Sequence, residues 1–171
     1  FQGTRELARL SRWRLSCVAG ERLVGLGQTP VVKSVGARHA SRYARAVPFP
    51  VDIAYVRATE SKVGRTFPLA FVEAMTANNG GTIEVEPDWY FELHPFLDES
   101  STKRLMRTCN DIVRETRVAS QRRGFPGGAV AIGAVDGDRL VLLPDPDSPD
   151  QFDERIYWWD HETGAVQAVA A

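Results

Sequence analysis

Apolar residues recur along the chain at two spacings, every three to four positions in some stretches and every second position in others, and the change of period divides it into helices and strands. Leu7, Leu10, Trp13 and Leu15 fall at helical spacing between arginines, which predicts a short amphipathic helix over residues 6–15. From residue 16 to 47 the pattern dissolves into small residues, glycines and scattered arginines, with brief strands suggested at Leu23-Val24 and Val31-Val32. Pro48 and Pro50 mark a boundary, because each proline lacks a backbone donor and biases the residue before it away from helix. Beyond it, Asp52 is placed to cap a helix with Ile53, Val56 and Val63 as apolar positions and Gly64 as its stop. Pro68 opens a second helix through Phe71, Val72 and Met75. Asn78-Asn79-Gly80-Gly81 then tolerates the left-handed backbone needed to turn into a strand over 82–85.

Residues 89–93 read as a second buried strand, closed by His94-Pro95. One long helix is expected from Asp98 to the break at Gly124-Phe125-Pro126, since Leu105, Cys109, Ile112, Thr116 and Ala119 recur at helical steps. This places Cys109 on its buried face. Val130 and Ile132 are answered by Leu140 and Leu142 around Asp136-Gly137, a hairpin signal. An acidic, proline-rich loop follows over 144–150, then a strand over 156–159, a turn over 160–164 and a last strand over 165–168. The order predicts an α+β fold with a largely antiparallel sheet flanked by helices.

Composition allows a packed core, with 43% hydrophobic and 25% charged residues in 171, and excludes disorder throughout. The net charge of −1 conceals an asymmetry: residues 1–50 carry +7 and residues 51–171 carry −8. The expected organisation is therefore a tag remnant at 1–3, a basic N-terminal extension of unknown fold at 4–49 and a folded domain at 50–171. No apolar run approaches the ~18 residues needed to span a bilayer, and no charged leader precedes one, so a soluble, cytoplasmic protein is expected. Cys17 and Cys109 make no disulfide framework, and a reducing compartment fits.

The catalytic inventory is thin: GxxxxGK[ST], GxSxG, HExxH and a strand-following GxGxxG are all missing. His161 lies between Asp160 and Glu162, where it could be a general acid or a metal ligand. A turn histidine is the preferred reading, because no second His or Cys is near in sequence. His94 is read as capping a strand end. Asp145, Asp147, Asp150 and Asp153 lack the spacing and glycine of a calcium loop, so with Glu154 they read as a solvated acidic loop and a contact for a basic partner. No cofactor and no metal are expected. The arginines of the extension could meet phosphates, but aromatic interleaving is sparse and nucleic acid is disfavoured as a partner. Trp158 and Trp159 point to opposite faces of a strand, so both are buried only if the sheet is covered on both sides; otherwise one is an exposed interface anchor.

An ordered series of short motifs carries a family resemblance. Glu60-x-x-x-Gly64, Phe67-Pro68-x-x-Phe71, Asn78-Asn79-Gly80-Gly81, Leu93-His94-Pro95, Asn110-Asp111-Ile112-Val113-x-Glu115-Thr116, Ala131-Ile132-Gly133, Asp136-Gly137-Asp138 and Trp159-Asp160-His161-Glu162-Thr163-Gly164 together resemble the SUKH superfamily, in its Smi/Knr cell-wall-assembly-regulator branch, over about residues 50–171. The resemblance implies an α+β domain with a mixed sheet, used in bacteria mainly as an immunity protein that binds and neutralises a polymorphic toxin, often a nuclease or nucleic-acid deaminase. It brings no catalytic residues, and it implies structural roles for Asn79, Gly80, Gly81, Trp159, Asp160, His161 and Gly164. Charge and exposure alone suggest a partner surface at Asp145, Asp147, Asp150, Asp153 and Glu154, with Glu84, Glu86 and Asp88 as a second patch and Trp158 as an anchor. The expected function is stoichiometric binding of a protein toxin with a basic surface. A regulatory scaffold binding an endogenous partner is the alternative, and an enzyme using His161 a third.

Overall fold

A computed structural model describes residues 49–86 and 89–169. The expected helix at 6–15, the brief strands at 23–24 and 31–32, Cys17 and Asp88 lie outside the described residues. Helix α1, Ile53–Val63, begins where Asp52 accepts from the Ala54 N–H at 2.8 Å and ends at Gly64, whose φ of 75° is left-handed. Its buried stripe is Val56, Thr59 and Glu60; Ile53, expected inside, is 46% exposed. Glu60 is tolerated inside because one carboxylate oxygen accepts the Phe67 N–H at 2.9 Å and the other meets Arg57 at 2.7 Å. Helix α2, Leu69–Ala77, starts after Pro68 and buries Phe71, Val72 and Met75.

Gly80 and Gly81, at φ 99° and 102°, then turn the chain into β1, Gly81–Glu86, paired with β2, Trp89–Leu93. The single long helix expected from 98 to 124 is instead two, α3 over Thr102–Thr108 and α4 over Ile112–Ser120. Asp111 causes the break: its side chain accepts from the Val113 and Arg114 N–H groups, capping a new helix in mid-pattern. α3 starts at Thr102, capped by Ser101, and not at Asp98. Cys109 falls at the junction and is exposed, which corrects its expected burial. Strands β3, Val130–Val135, and β4, Asp138–Leu142, form the expected hairpin, followed by β5, Tyr157–Trp159, and β6, Val166–Ala168.

The six strands lie in the sheet in chain order, and every pairing is antiparallel, including β2 with β3 across the helical insertion. The parallel Thr66–Gln151 bridge lies outside the strands. Apolar residues of alternate positions, Phe91, Leu93, Val130, Ile132, Leu140 and Leu142, face the helices and the ring cluster of Phe67, Phe71, Phe96 and Phe152. A second, smaller core forms on the opposite face, where Ala129, Val141 and Trp159 pack with Phe125. The sheet is thus covered on both sides at β5. Trp159 is fully buried on one side, and Trp158 is half-buried on the other against Trp89 and Phe91.

Candidate functional site

Two turns meet at one end of the β4–β5 pair. Asp136 and Gly137, at φ 46° and 120°, make the two-residue β3–β4 turn and set Asp138 at the head of β4. After β5, Asp160 Oδ1 accepts from the N–H groups of Glu162 and Thr163 at 2.8 and 3.2 Å, and Oδ2 accepts from the Thr163 hydroxyl at 2.7 Å. These bonds, the hydroxyl first, hold the Asp160 carboxyl below its usual range and shape a turn that presents His161.

Asp138 receives three donors. Trp158 Nε1–H reaches Oδ2 at 2.9 Å, while the His161 backbone N–H and ring Nδ1 reach Oδ1 at 3.0 and 2.7 Å. A carboxylate only accepts, so Nδ1 carries the hydrogen. The ring lies on Gly137, where an added Cβ would stand 2.7 Å from ring carbon Cε1. Gly137 is therefore required both for its φ and for the space it leaves. Asp138, Asp160 and His161 offer one ligand atom each within 4.8 Å of one another, a spacing that suits a divalent cation. Most of their lone pairs already serve the turns: Asp160 Oδ1 and Asp138 Oδ1 each take two donors, and Nδ1 is used. What the arrangement does is brace β4 against the β5–β6 turn.

Asn79 joins two further motifs. Its Nδ2 donates to the Phe96 carbonyl and its Oδ1 accepts from the Phe96 N–H, both at 2.8 Å, so a side-chain amide pairs with backbone as a strand would. His94, at the end of β2, is buried, and its Nε2 has no hydrogen-bond partner among the described residues. Burial, reinforced by the positive charge of Arg139, pushes its pKa down to about 4. The folded protein therefore holds His94 neutral while the unfolded chain protonates it near 6.5, so acid favours unfolding as pH falls from 6.5 towards 4. The expected loss is about 2 kcal/mol between pH 7 and pH 5, above the range where carboxylates titrate. Urea unfolding across that range reads it, and His94→Gln flattens the profile; a wild-type profile already flat refutes the assignment.

The residues expected to bind a partner divide into two groups. Glu84 is exposed on β1 and Glu86 ends that strand, whereas the acidic loop joins β4 to β5, with β2 and β3 between. Within the loop, Asp147, Asp150 and Glu154 are exposed. Asp145 is half-buried and accepts from the Asp147 N–H. Asp153 is engaged internally by Arg155 and by the Tyr157 hydroxyl at 2.6 Å, and the Arg155 bonds lead in lowering its pKa to about 2. Charge read from sequence alone overcounted this loop, because Arg155 at the loop's own end and Tyr157 at the start of β5 take up the Asp153 carboxylate. Reading for charge runs also passed over Tyr90 and Glu92, exposed on β2 beside Glu84.

Among the described residues no helix is long and apolar enough to cross a membrane. The comparisons with curated proteins and with solved structures each returned no match. A family model does match, that of the SMI1 / KNR4 family (SUKH-1), over residues 50–171. That span contains all ten described helices and strands, both turns of the brace and the Asn79 bridge. On this match, the chain belongs to the SMI1 / KNR4 family (SUKH-1).

Proposed function

We propose that residues 50–171 form an immunity protein that binds a cognate polymorphic toxin one-to-one and blocks it, the toxin being a nuclease or a nucleic-acid deaminase. The observation that carries this reading is the family match, which supports a partner-binding role of the immunity or Smi/Knr type. The charge of −8 over residues 51–171 supports it further, because enzymes that act on nucleic acid present a basic groove that an acidic protein can cover. Inhibition is then steric and electrostatic, and needs no catalytic group on this chain. Complementary potentials would speed association and a central aromatic anchor would slow dissociation.

Coexpression with toxins encoded beside the gene tests this. Rescue of growth by this chain is the expected result, and killing that proceeds unchanged in its presence rejects the reading. The family also includes regulators of the Smi/Knr type, so a scaffold that binds an endogenous partner is the second reading. A gene neighbourhood without any large secreted-toxin gene favours that second reading.

A further inference from the structure

Residues 102–123, which hold α3 and α4, carry +5, whereas the rest of residues 51–171 carries −13. The two carboxylates of that stretch are turned inward: Asp111 is buried as the cap of α4, and Glu115 is half-buried. Asp98, just ahead of it, is 1% exposed and bonded to Ser100 and Arg104. Lys103, Arg107, Arg114, Arg117, Arg122 and Arg123 are exposed, and none of them has an ion pair among the described residues. Glu99, in the loop before α3, is the nearest exposed carboxylate in sequence. A cationic surface is thus built into an acidic domain.

Apolar side chains lie among these cations. Polar contacts hold α3 on one side: Arg104 Nη1 donates to Asp98 at 2.7 Å and to the Pro50 carbonyl at 2.8 Å, and the Thr108 hydroxyl accepts the Asp98 N–H at 2.9 Å. Thr108 is the only buried residue of α3, so this helix gives no apolar side chain to the core. Met106 projects from the side opposite Arg104 and Thr108 at 73% exposure, and Leu105 beside it is exposed. On α4, Ile112 and Ala119 face inward, and the helical period turns Arg114, Arg117 and Val118 outward, all of them exposed. Arg114 Nη1 donates to the Cys109 carbonyl and to the Asn110 side chain, which sets this stripe against the end of α3.

We propose that the exposed α3–α4 surface binds an acidic, apolar-bearing segment of a partner protein. Carboxylates of the segment pair with Lys103, Arg107 and Arg117, while an apolar side chain covers Met106, whose unbranched thioether adapts to varied shapes. Charge selects an acidic partner, and the apolar residues select protein over other polyanions. Phosphates of a nucleic acid would engage the cations but leave Met106, Leu105 and Val118 in water, and residues 102–123 offer no aromatic ring for a base to stack on. An anionic bilayer is continuous, so it would also meet the flanking surface of a domain that is otherwise strongly acidic. This surface has the opposite sign from the one the toxin reading uses, and it assigns a second partner independent of that reading.

The test is an amide-resolved NMR titration of the full chain with a peptide of glutamates carrying leucine at every fourth position, and with its counterpart in which serine replaces leucine. Shifts are expected over residues 102–123, with the leucine peptide binding several-fold more tightly and raised salt weakening both interactions. Arg107→Glu combined with Arg117→Glu should abolish binding of either peptide, and Met106→Ser should remove the preference for leucine. All three positions are exposed, so these variants should keep the parent's urea midpoint. Equal affinity of the parent for the two peptides, or shifts centred outside α3 and α4, overturns the proposal. So does tighter binding of phosphatidylserine vesicles or of oligothymidylate than of the leucine peptide, which gives the surface to a membrane or to nucleic acid. In the toxin coexpression assay the double glutamate variant should rescue growth as the parent does, and loss of rescue gives this face to the toxin and overturns the separate partner. Absence of rescue by the parent itself rejects the immunity reading alone and leaves the titration result standing.

Discussion

Replacing Asn79 by alanine is expected to lower stability by about 3 kcal/mol, because it strands both the N–H and the carbonyl of Phe96 in the interior at about 1–3 kcal/mol each. Asn79 is 5% exposed, so water does not stand in for the lost amide. Asn79→Asp separates the two bonds. The carboxylate keeps an acceptor for the Phe96 N–H but sets a second oxygen against the Phe96 carbonyl, so at pH 7 this variant should be no more stable than the alanine one. Protonation restores a donor, and its stability relative to the parent should therefore climb as pH is lowered from 7 to 5. Urea midpoints at the two pH values decide it. A loss below about 0.5 kcal/mol for Asn79→Ala, the range of an ordinary surface change, would mean that the amide bridge contributes little.

The second large effect is expected at Trp159. Truncation to alanine removes a fully buried indole and should cost about 4 kcal/mol. That is a large share of the roughly 5–15 kcal/mol by which a domain is stable. Trp159→Phe keeps most of the packing against Phe125 and loses the Nε1–H bond to the Gly124 carbonyl, at 3.0 Å, so a loss of about 1 kcal/mol is expected. The location of the damage is equally specific. Gly124 approaches Gly164 so closely that a Cβ on it would meet the Gly164 Cα at 3.3 Å, and the indole holds this contact shut. Hydrogen exchange in Trp159→Phe should accelerate over residues 121–129 while the helical-face core stays protected. Uniform acceleration across the sheet would show that the second core has no separate identity.

The strands and the first two helices were legible because their signals are local. Asp52, Gly64 and Asp136-Gly137 act within four residues of their own position, and each does in the fold what its chemistry suggests. The break between α3 and α4 was hidden by a periodicity that runs unbroken from Leu105 through Cys109 to Ile112. The cap at Asp111 was written in the same stretch, but an Asp inside a regular apolar pattern reads equally well as a solvent-facing helix residue. The brace was legible only as two separate motifs. His161 and Asp138 are 23 residues apart, and only the β4–β5 register, Arg139 with Trp159 and Leu140 with Trp158, brings their turns together. For Trp158 and Trp159 the alternation argument named the correct condition, a sheet covered on both faces, yet the covering Phe125 lies in a segment with no periodic signal at all.

The succession of antiparallel neighbours conceals one unequal joint. Three of the other strand pairs are closed by two to six residues and β4–β5 by the fourteen of the acidic loop, whereas β2 and β3 enclose residues 94–132 and share only the pairs Glu92–Ala134 and Leu93–Gly133. Closing a loop roughly twentyfold longer than a two-residue turn costs about 3 kcal/mol more in chain entropy. The β1–β2 hairpin should therefore zip early by itself and attach late, after α3 and α4 have shortened the path between its end and β3. The same seam is expected to part more readily than the β3–β4 pairing when the protein breathes, which makes the β1–β2 hairpin a semi-independent flap.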